Sequence, residues 1–318
     1  MRKLSARVAL AIDNVVATVG YVRPVVLVTG FWRSGTTWMQ ECLAEALRAK
    51  TSFEPLTPSL LRRDRVLAPF GLTSPDHEHA FVPFLDGSDP RYAAMWKYLE
   101  EAVRGHCAGT FGLVCRKGVL ESLRRDLVLK CVRMQFSQRA FHRRFGLPIV
   151  HVRRHPCAVV ASLRDCRWPW HFRNVDITAL LYEMGDGREE RLSRWRTVIP
   201  RFGQDVVSRI AAYWALSESY VQHSLAELTP SLLVNYEQAV TSPVRTLHEI
   251  CARLALPPPG KFDPSADSAL TGRASAGQSN EYRLTSWRTR LSPSEIERVY
   301  SVVAEIFPEW DDRAHAAA

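Results

Sequence analysis

The sequence predicts an α/β fold of three layers, a central parallel sheet of about five strands between flanking helices. Short apolar runs recur at 25–29, 127–130, 147–153 and 231–236, and helical periodicity follows them at 134–145, 156–165 and 237–254. Strands that alternate with helices imply βαβ units, and hence a parallel sheet covered on both faces. With 318 residues, 46% of them hydrophobic, the chain can build one large core, so 1–318 reads as a single domain.

Residues 1–23 read as a helix at the edge of that domain. The stretch 6–22, ARVALAIDNVVATVGYV, comes nearest to a membrane span, but Asp13 interrupts it and it falls short of the ~20 apolar residues required. An amphipathic helix packed on the domain is the first reading, and contact with a membrane surface is the second. The strand VVLVT (25–29) breaks at Gly30 and leads into the helix-forming TTWMQECLAEALRAK. TSFE (51–54) reads as the second strand, ending in Glu54 before Pro55. Residues 55–126, rich in Pro, Asp, Gly and Arg, and the Trp/Arg-rich 166–204 read as insertions around a cleft at the carboxyl ends of the strands. The tail 311–318, DDRAHAAA, reads as frayed.

Charge narrows the ligand. Net charge is +9, and six of the 42 basic side chains are lysines, leaving 36 arginines. Arginine's planar fork suits phosphate, sulfate and carboxylate, although GC-rich coding accounts for the excess equally well. The arginines are scattered without a basic tract, which argues against nucleic acid. Seven cysteines contain no C-x-x-C pair and no Cys/His zinc spacing. They read as reduced thiols of a cytoplasmic protein, peripheral at the inner membrane face if the first helix touches lipid.

The loop GFWRSGTTW is a phosphate cradle without its lysine. Gly30 and Gly35 have the separation of G-x-x-x-x-G-K-[ST], but Thr36 stands where the lysine belongs. The backbone N–H groups of Ser34, Gly35, Thr36 and Thr37, with the hydroxyls of Ser34, Thr36 and Thr37, can still hold an anion at a helix N-terminus. A magnesium triphosphate also needs the lysine and a strand-end acid. Here the strand ends carry Lys130 and Arg153-Arg154 instead. The fold is therefore P-loop-like, with a ligand that carries separate phosphates and is handled without a metal.

The chain resembles the sulfotransferases that use 3′-phosphoadenosine 5′-phosphosulfate (PAPS). GFWRSGTTW is similar to their 5′-phosphosulfate loop, whose basic residue falls at Arg33, with Trp38 at its end. VRRHPCAVVASLRD is similar to their 3′-phosphate motif, placing Arg154 at a strand end and Ser162 eight residues on. Pro156 can open the intervening helix. The resemblance spans most of 24–256 and is strongest to bacterial and Golgi-type carbohydrate sulfotransferases, through WRSGTTWMQE, FEPL and LKCVR. It implies sulfuryl transfer from PAPS, without a metal, to a hydroxyl of a carbohydrate or glycolipid. The family's loop over the nucleotide falls at 272–292 and implies contacts from Arg273 and Ser275.

Roles follow from charge flow. Arg33 would hold the 5′-phosphate and departing oxygen, and Lys130 the transferring sulfonate, positioned cations being the main source of rate. The small-molecule cytosolic enzymes carry a histidine base two residues after the lysine, whereas Val132 stands there in this chain. Two glutamates remain. Heparan 3-O-sulfotransferases use one that matches Glu41, and tyrosylprotein and trehalose sulfotransferases one that matches Glu54. Glu54 is preferred, since a strand-end carboxylate projects into the cleft. Trp168, Trp170, His171 and Phe172 suit either stacking on an acceptor or a lid core. Tyr236-Glu237 is expected to be structural, and Arg133 to pair with a loop acid. A kinase and a non-catalytic nucleotide binder are the competing functions.

Overall fold

The computed structural model describes residues 3–61, 66–72, 74–86, 89–166, 168, 170–270 and 277–310. Its sheet has the five expected strands: β1 (Arg23–Gly30), β2 (Lys50–Phe53), β3 (Asp126–Lys130), β4 (Ile149–Arg153) and β5 (Ser231–Asn235). All neighbouring pairs are parallel, in the order β2–β3–β1–β4–β5. Successive strand residues face opposite sides of a sheet, and here both sides are buried. Val26, Val28, Val128, Val150 and Val152 face one core, while Leu27, Leu127, Leu129 and Ile149 face the other.

Outside the insertions, the helices among the described residues are α1 (Lys3–Thr18), α2 (Thr36–Ala46), α3 (Gln138–Phe145), α4 (Pro156–Arg164), α5 (Val206–Ala226), α6 (Tyr236–Thr241), α7 (Pro243–Arg253), α8 (Asn280–Thr285), α9 (Trp287–Arg290) and α10 (Pro293–Ile306). The valine face packs on α2, α6 and α7, and the leucine face on α3, α4, α5 and α10.

Two predicted helices differ. The segment 237–254 is divided because Pro243, lacking an N–H, ends one helix and starts the next at its N1 position. The helix after β3 begins at Gln138, behind a 3₁₀ turn (Val132–Met134) in which Arg133 leaves helical geometry. Helix α5 has no counterpart among the predicted helices. Fifteen of its 21 residues are buried, with Ala and Ser among them all round its first three turns, so no single apolar stripe stands out.

The insertions are packed rather than irregular. Short helices at Pro75–Ala80 and Ala93–Val103 place Phe81, Met95 and Leu99 in the leucine-side core. A buried polar cluster ties the two insertions together. Tyr92 Oη donates to Asp186 Oδ2 (2.5 Å), and Arg188 grips Asp186 through Nε (2.8 Å) and Nη2 (2.7 Å). Among the described residues no helix is long and apolar enough to cross a membrane. The tail 311–318 lies outside the described residues.

Candidate active site

All five strands end on one cavity of about 620 Å³. The loop after β1 supplies Arg33 and Gly35, and the start of α2 Thr36, Thr37 and Trp38; Phe53 ends β2 with Glu54 just past it; Lys130 ends β3, and Val132 and Arg133 lie in the turn after it. Arg154 follows β4, and Tyr236 follows β5. The register explains the convergence, for Phe53 pairs with Lys130, Gly30 with Val152 and Arg153 with Asn235. Central β1 has β2 and β3 on one side and β4 and β5 on the other, the place where open α/β sheets bind ligands.

The loop holds an uncommon backbone shape. Arg33 (φ 65°) and Gly35 (φ 86°) are left-handed, and Gly35 caps α2 without any side-chain hydrogen bond. The first N–H groups of a helix have no partner within it, so α2 presents them at the cavity. A Cβ on Gly35 would lie 2.2 Å from the Tyr236 ring, which explains glycine at this position. Ser34, expected to add a hydroxyl donor, is fully buried and does not line the cavity. An anionic ligand fits such a cradle.

Three arginines crowd the loop. Arg33 Nε donates to Ser162 Oγ (2.8 Å), joining residues 129 positions apart. Arg154 donates to the carbonyls of Arg33 (3.0 Å) and Arg283 (2.8 Å), with its guanidinium 4.6 Å from the Tyr236 ring centroid. Burial holds the Arg33 guanidinium below its ordinary value, and Arg154 and Arg290 push it the same way. Arg33 and Arg154 thus spend donors on a hydroxyl and carbonyls, not on a carboxylate. Trp38 lines the cavity and donates to Pro264 O (3.2 Å).

A second charged group lies opposite. Lys130 Nζ bonds Glu54 Oε1, Val132 N–H donates to Glu54 Oε2 (3.2 Å), and Arg133 Nη1 stands 3.6 Å from the same oxygen. Lys130 therefore pairs with the strand-end glutamate and not with an insertion acid. Arg133 also donates to His79 O (2.7 Å). Glu54 has φ 47°; of the four non-glycine residues with positive φ among those described, Arg33 and Glu54 both line the cavity. Sparse backbone conformations of this kind collect at functional sites.

Glu41 is placed elsewhere. It sits on α2, accepts from Ala269 N–H (3.0 Å) and does not line the cavity. Burial lifts its carboxyl above the ordinary value, against the Ala269 N–H. Trp168 and Trp170 line the cavity, whereas His171 donates its N–H to Asp76 and Phe172 joins the core. Arg273 and Ser275 lie outside the described residues.

Several cavity residues escaped the sequence reading. Tyr236 was expected to be structural but forms the wall beside Gly35, while Glu237 does brace the fold by accepting from His155 N–H (3.0 Å). Tyr282, Arg283, Ser286 and Arg290 reach the cavity from α8 and α9. The run YRLTSWRTR carries the signal, but periodicity alone could not tell which arginine turns inward. His79, Trp32, Phe53 and Phe111 complete the aromatic side.

The molecule is thus an α/β protein with an arginine-lined anion cradle at its strand ends, next to a lysine–glutamate pair. No protein-family model and no curated protein sequence matches the chain. Among solved structures it is similar to a sulfotransferase domain from the curacin biosynthetic pathway (16% identity, TM-score 0.43, 89% of this chain and 98% of that one). It is also similar to a sulfotransferase from Mycobacterium avium (13%, TM-score 0.44, covering 98% and 82%). A third is a sulfotransferase from Alicyclobacillus acidocaldarius (14%, TM-score 0.38, covering 93% and 99%). With every one of these TM-scores below 0.5, function has to be read from the cavity's own side chains.

Proposed function

We propose that the protein is a PAPS-dependent sulfotransferase acting on a hydroxyl of a carbohydrate or glycolipid. What supports this most is the joining of two distant motifs: Arg33, Ser162 and Arg154 are linked by hydrogen bonds beside the Lys130–Glu54 pair. Arg33 and Arg154, which have no carboxylate partner among the described residues, favour an anion, and the glycine cradle fits one. PAPS, when bound, supplies an activated sulfuryl group on a bisphosphate leaving group.

Each side chain then has one task. Arg33 and the N–H groups of the loop hold the 5′-phosphate and offset charge on the departing oxygen. Arg154 and Ser162 hold the 3′-phosphate, exchanging their present carbonyl and guanidinium contacts for it. Lys130 faces two anions, the Glu54 carboxylate and the transferring sulfonate. As its ammonium turns to the sulfonate, a Glu54 oxygen comes free. Glu54 takes the proton released by the acceptor hydroxyl while the sulfur–oxygen bond to phosphate breaks and that to the acceptor forms. No metal is needed, because the cations are side chains. Glu41, held by Ala269, is the less favoured base.

The aromatic side suits a sugar ring. Trp168 and His79 both stack on Trp170 (5.1 Å, 23° and 5.6 Å, 22°), and all three line the cavity. The working environment is reducing and cytoplasmic, in keeping with seven cysteines that form no disulfide.

Calorimetry with labelled-sulfate turnover tests the function. We expect binding of 3′,5′-adenosine bisphosphate without magnesium, and transfer of label from PAPS to an acceptor in a cell extract. Magnesium-dependent ATP binding would favour a kinase instead. Bisphosphate binding with no turnover on any acceptor would favour a binding module.

A further inference from the structure

Helix α1 packs on the domain around a buried aspartate and leaves part of its aliphatic surface outward. Its inward positions are Ala9, Asp13 and Ala17, about one per turn and all buried. Asp13 accepts from Lys50 Nζ (3.0 Å) and Arg116 Nη2 (2.8 Å) in a cluster closed to solvent. Beside it, Asn14 donates to Cys107 O (3.3 Å) and accepts from Cys107 N (2.9 Å). Leu4, Val8 and Val15 fall on the opposite face, as helical spacing requires, at 75%, 45% and 64% exposed, and Val19 in the turn that follows is 73% exposed. The 3₁₀ turn Val119–Leu123, packed against α1, adds Leu120 and Leu123 at 78% and 52%. Removing Asp13 from its partners would strand buried charges, so the polar residues fix the helix with its aliphatic stripe outward.

The rim of this stripe is basic. Arg7, Arg23 and Arg125 are exposed around it, Arg23 paired with Asp126 and Arg125 set 6.0 Å from the Tyr21 ring centroid. We propose that this face docks on an anionic lipid surface, with the aliphatic stripe in the headgroup–acyl boundary and the arginines on the phosphates. Such a helix lies in the interface and does not span it. Charge decides between lipid and a second copy. A two-fold contact places the same patch against itself, so the arginine rims would face each other on a chain of net charge +9. Anionic headgroups complement the rim. The docking face also shares an element with the cavity, since the turn Thr110–Leu113 packs on both α1 and β2 and brings Phe111 into the cavity wall.

Co-sedimentation of the full chain with phosphatidylcholine vesicles, with and without phosphatidylglycerol, tests this without donor or acceptor. We expect binding to the anionic vesicles only, weakened by salt. Arg7→Gln and Arg125→Gln should each weaken it about fivefold, the effect of one basic residue at a charged surface. Val8→Glu with Val15→Glu should weaken it about tenfold or more, since two aliphatic contacts are replaced by charges the headgroups repel. An unchanged melting temperature and an unchanged far-UV circular dichroism spectrum would show that the variants fold. The proposal is overturned by absent binding, by equal binding to neutral vesicles, or by a double variant that binds like wild type. Concentration-dependent dimers that the double variant abolishes, without vesicle binding, would assign the face to self-association.

Discussion

Arg188 and Arg154 are both held by several hydrogen bonds, yet the two regions around them differ in charge balance. Arg188 has no exposed surface and is gripped by Asp186, Tyr92 Oη and the Leu180 carbonyl. Arg154 and Arg33 are bonded to carbonyls and a hydroxyl in a cavity open to a ligand, while neighbouring Arg290 is paired with Asp165 (2.9 Å). A buried ion must be paired to be tolerated. The first cluster obeys that rule within the chain. The second leaves cationic capacity for something that arrives from outside. Local charge balance therefore separates the arginine that builds the fold from the one proposed to bind, even though both are held by several hydrogen bonds.

The largest expected effect tests the Lys130–Glu54 pair, which is balanced now but has to be unbalanced in action. Glu54→Gln should lower turnover by about 10²–10⁴ with donor affinity nearly unchanged, because basicity is lost and shape is kept. Glu41→Gln should leave turnover near wild type. If the two variants behave the other way round, Glu41 is the base. The readout is kcat beside donor Kd.

Next comes the structural cluster. Asp186→Asn leaves Arg188 buried without its counter-ion and should cost about 3–5 kcal/mol of stability in urea unfolding at neutral pH. Burial pushes the Asp186 carboxyl up, but Arg188 overrides it and holds it below the ordinary value. A depressed carboxylate contributes stability above its unfolded pKa and loses it as pH falls through the folded one. Wild type should therefore lose stability on acidification below about pH 4, and Asp186→Asn should lose less over that window. An equal acid response in both proteins would remove Asp186 from the account.

Arg154→Ala should weaken adenosine bisphosphate binding by about 1.5–3 kcal/mol, the scale of a charge-assisted hydrogen bond. An analogue without the 3′-phosphate should lose little. Equal losses for the two ligands would break the 3′-phosphate assignment. Thermal stability should hold or rise, since a like charge near Arg33 is removed, the opposite of Asp186→Asn.

Ser162→Ala should show the smallest effect, about 0.5–1.5 kcal/mol in the same titration. It should be non-additive with Arg154→Ala if both groups hold one phosphate. Because Ser162 now accepts from Arg33, a cycle with Arg33→Ala would tell whether the hydroxyl acts on the ligand directly or by holding the arginine.

Much of this was determined by sequence alone. Alternation of apolar runs with helical periods gave five parallel strands, because a strand buried on both faces must be apolar throughout. The spacing of Gly30 and Gly35 marked the cradle, and the strand-end position of Lys130 and Arg154 put cations on it. Local chemistry writes such features directly into neighbouring residues. Other features were decided only in three dimensions. Helix α5 is buried round most of its circumference and leaves no single stripe to read. Tyr236 becomes a cavity wall only because β5 ends beside Gly35, and the link from Arg33 to Ser162 crosses 129 residues. The exclusion of Glu41 from the cavity depends on which side of α2 meets the segment around Ala269. The outward face of α1 depends likewise on the buried partners Lys50 and Arg116, which draw Asp13 inward. In each of these the deciding neighbour lies far along the chain, and only the closing of the sheet and its cores brings it into contact.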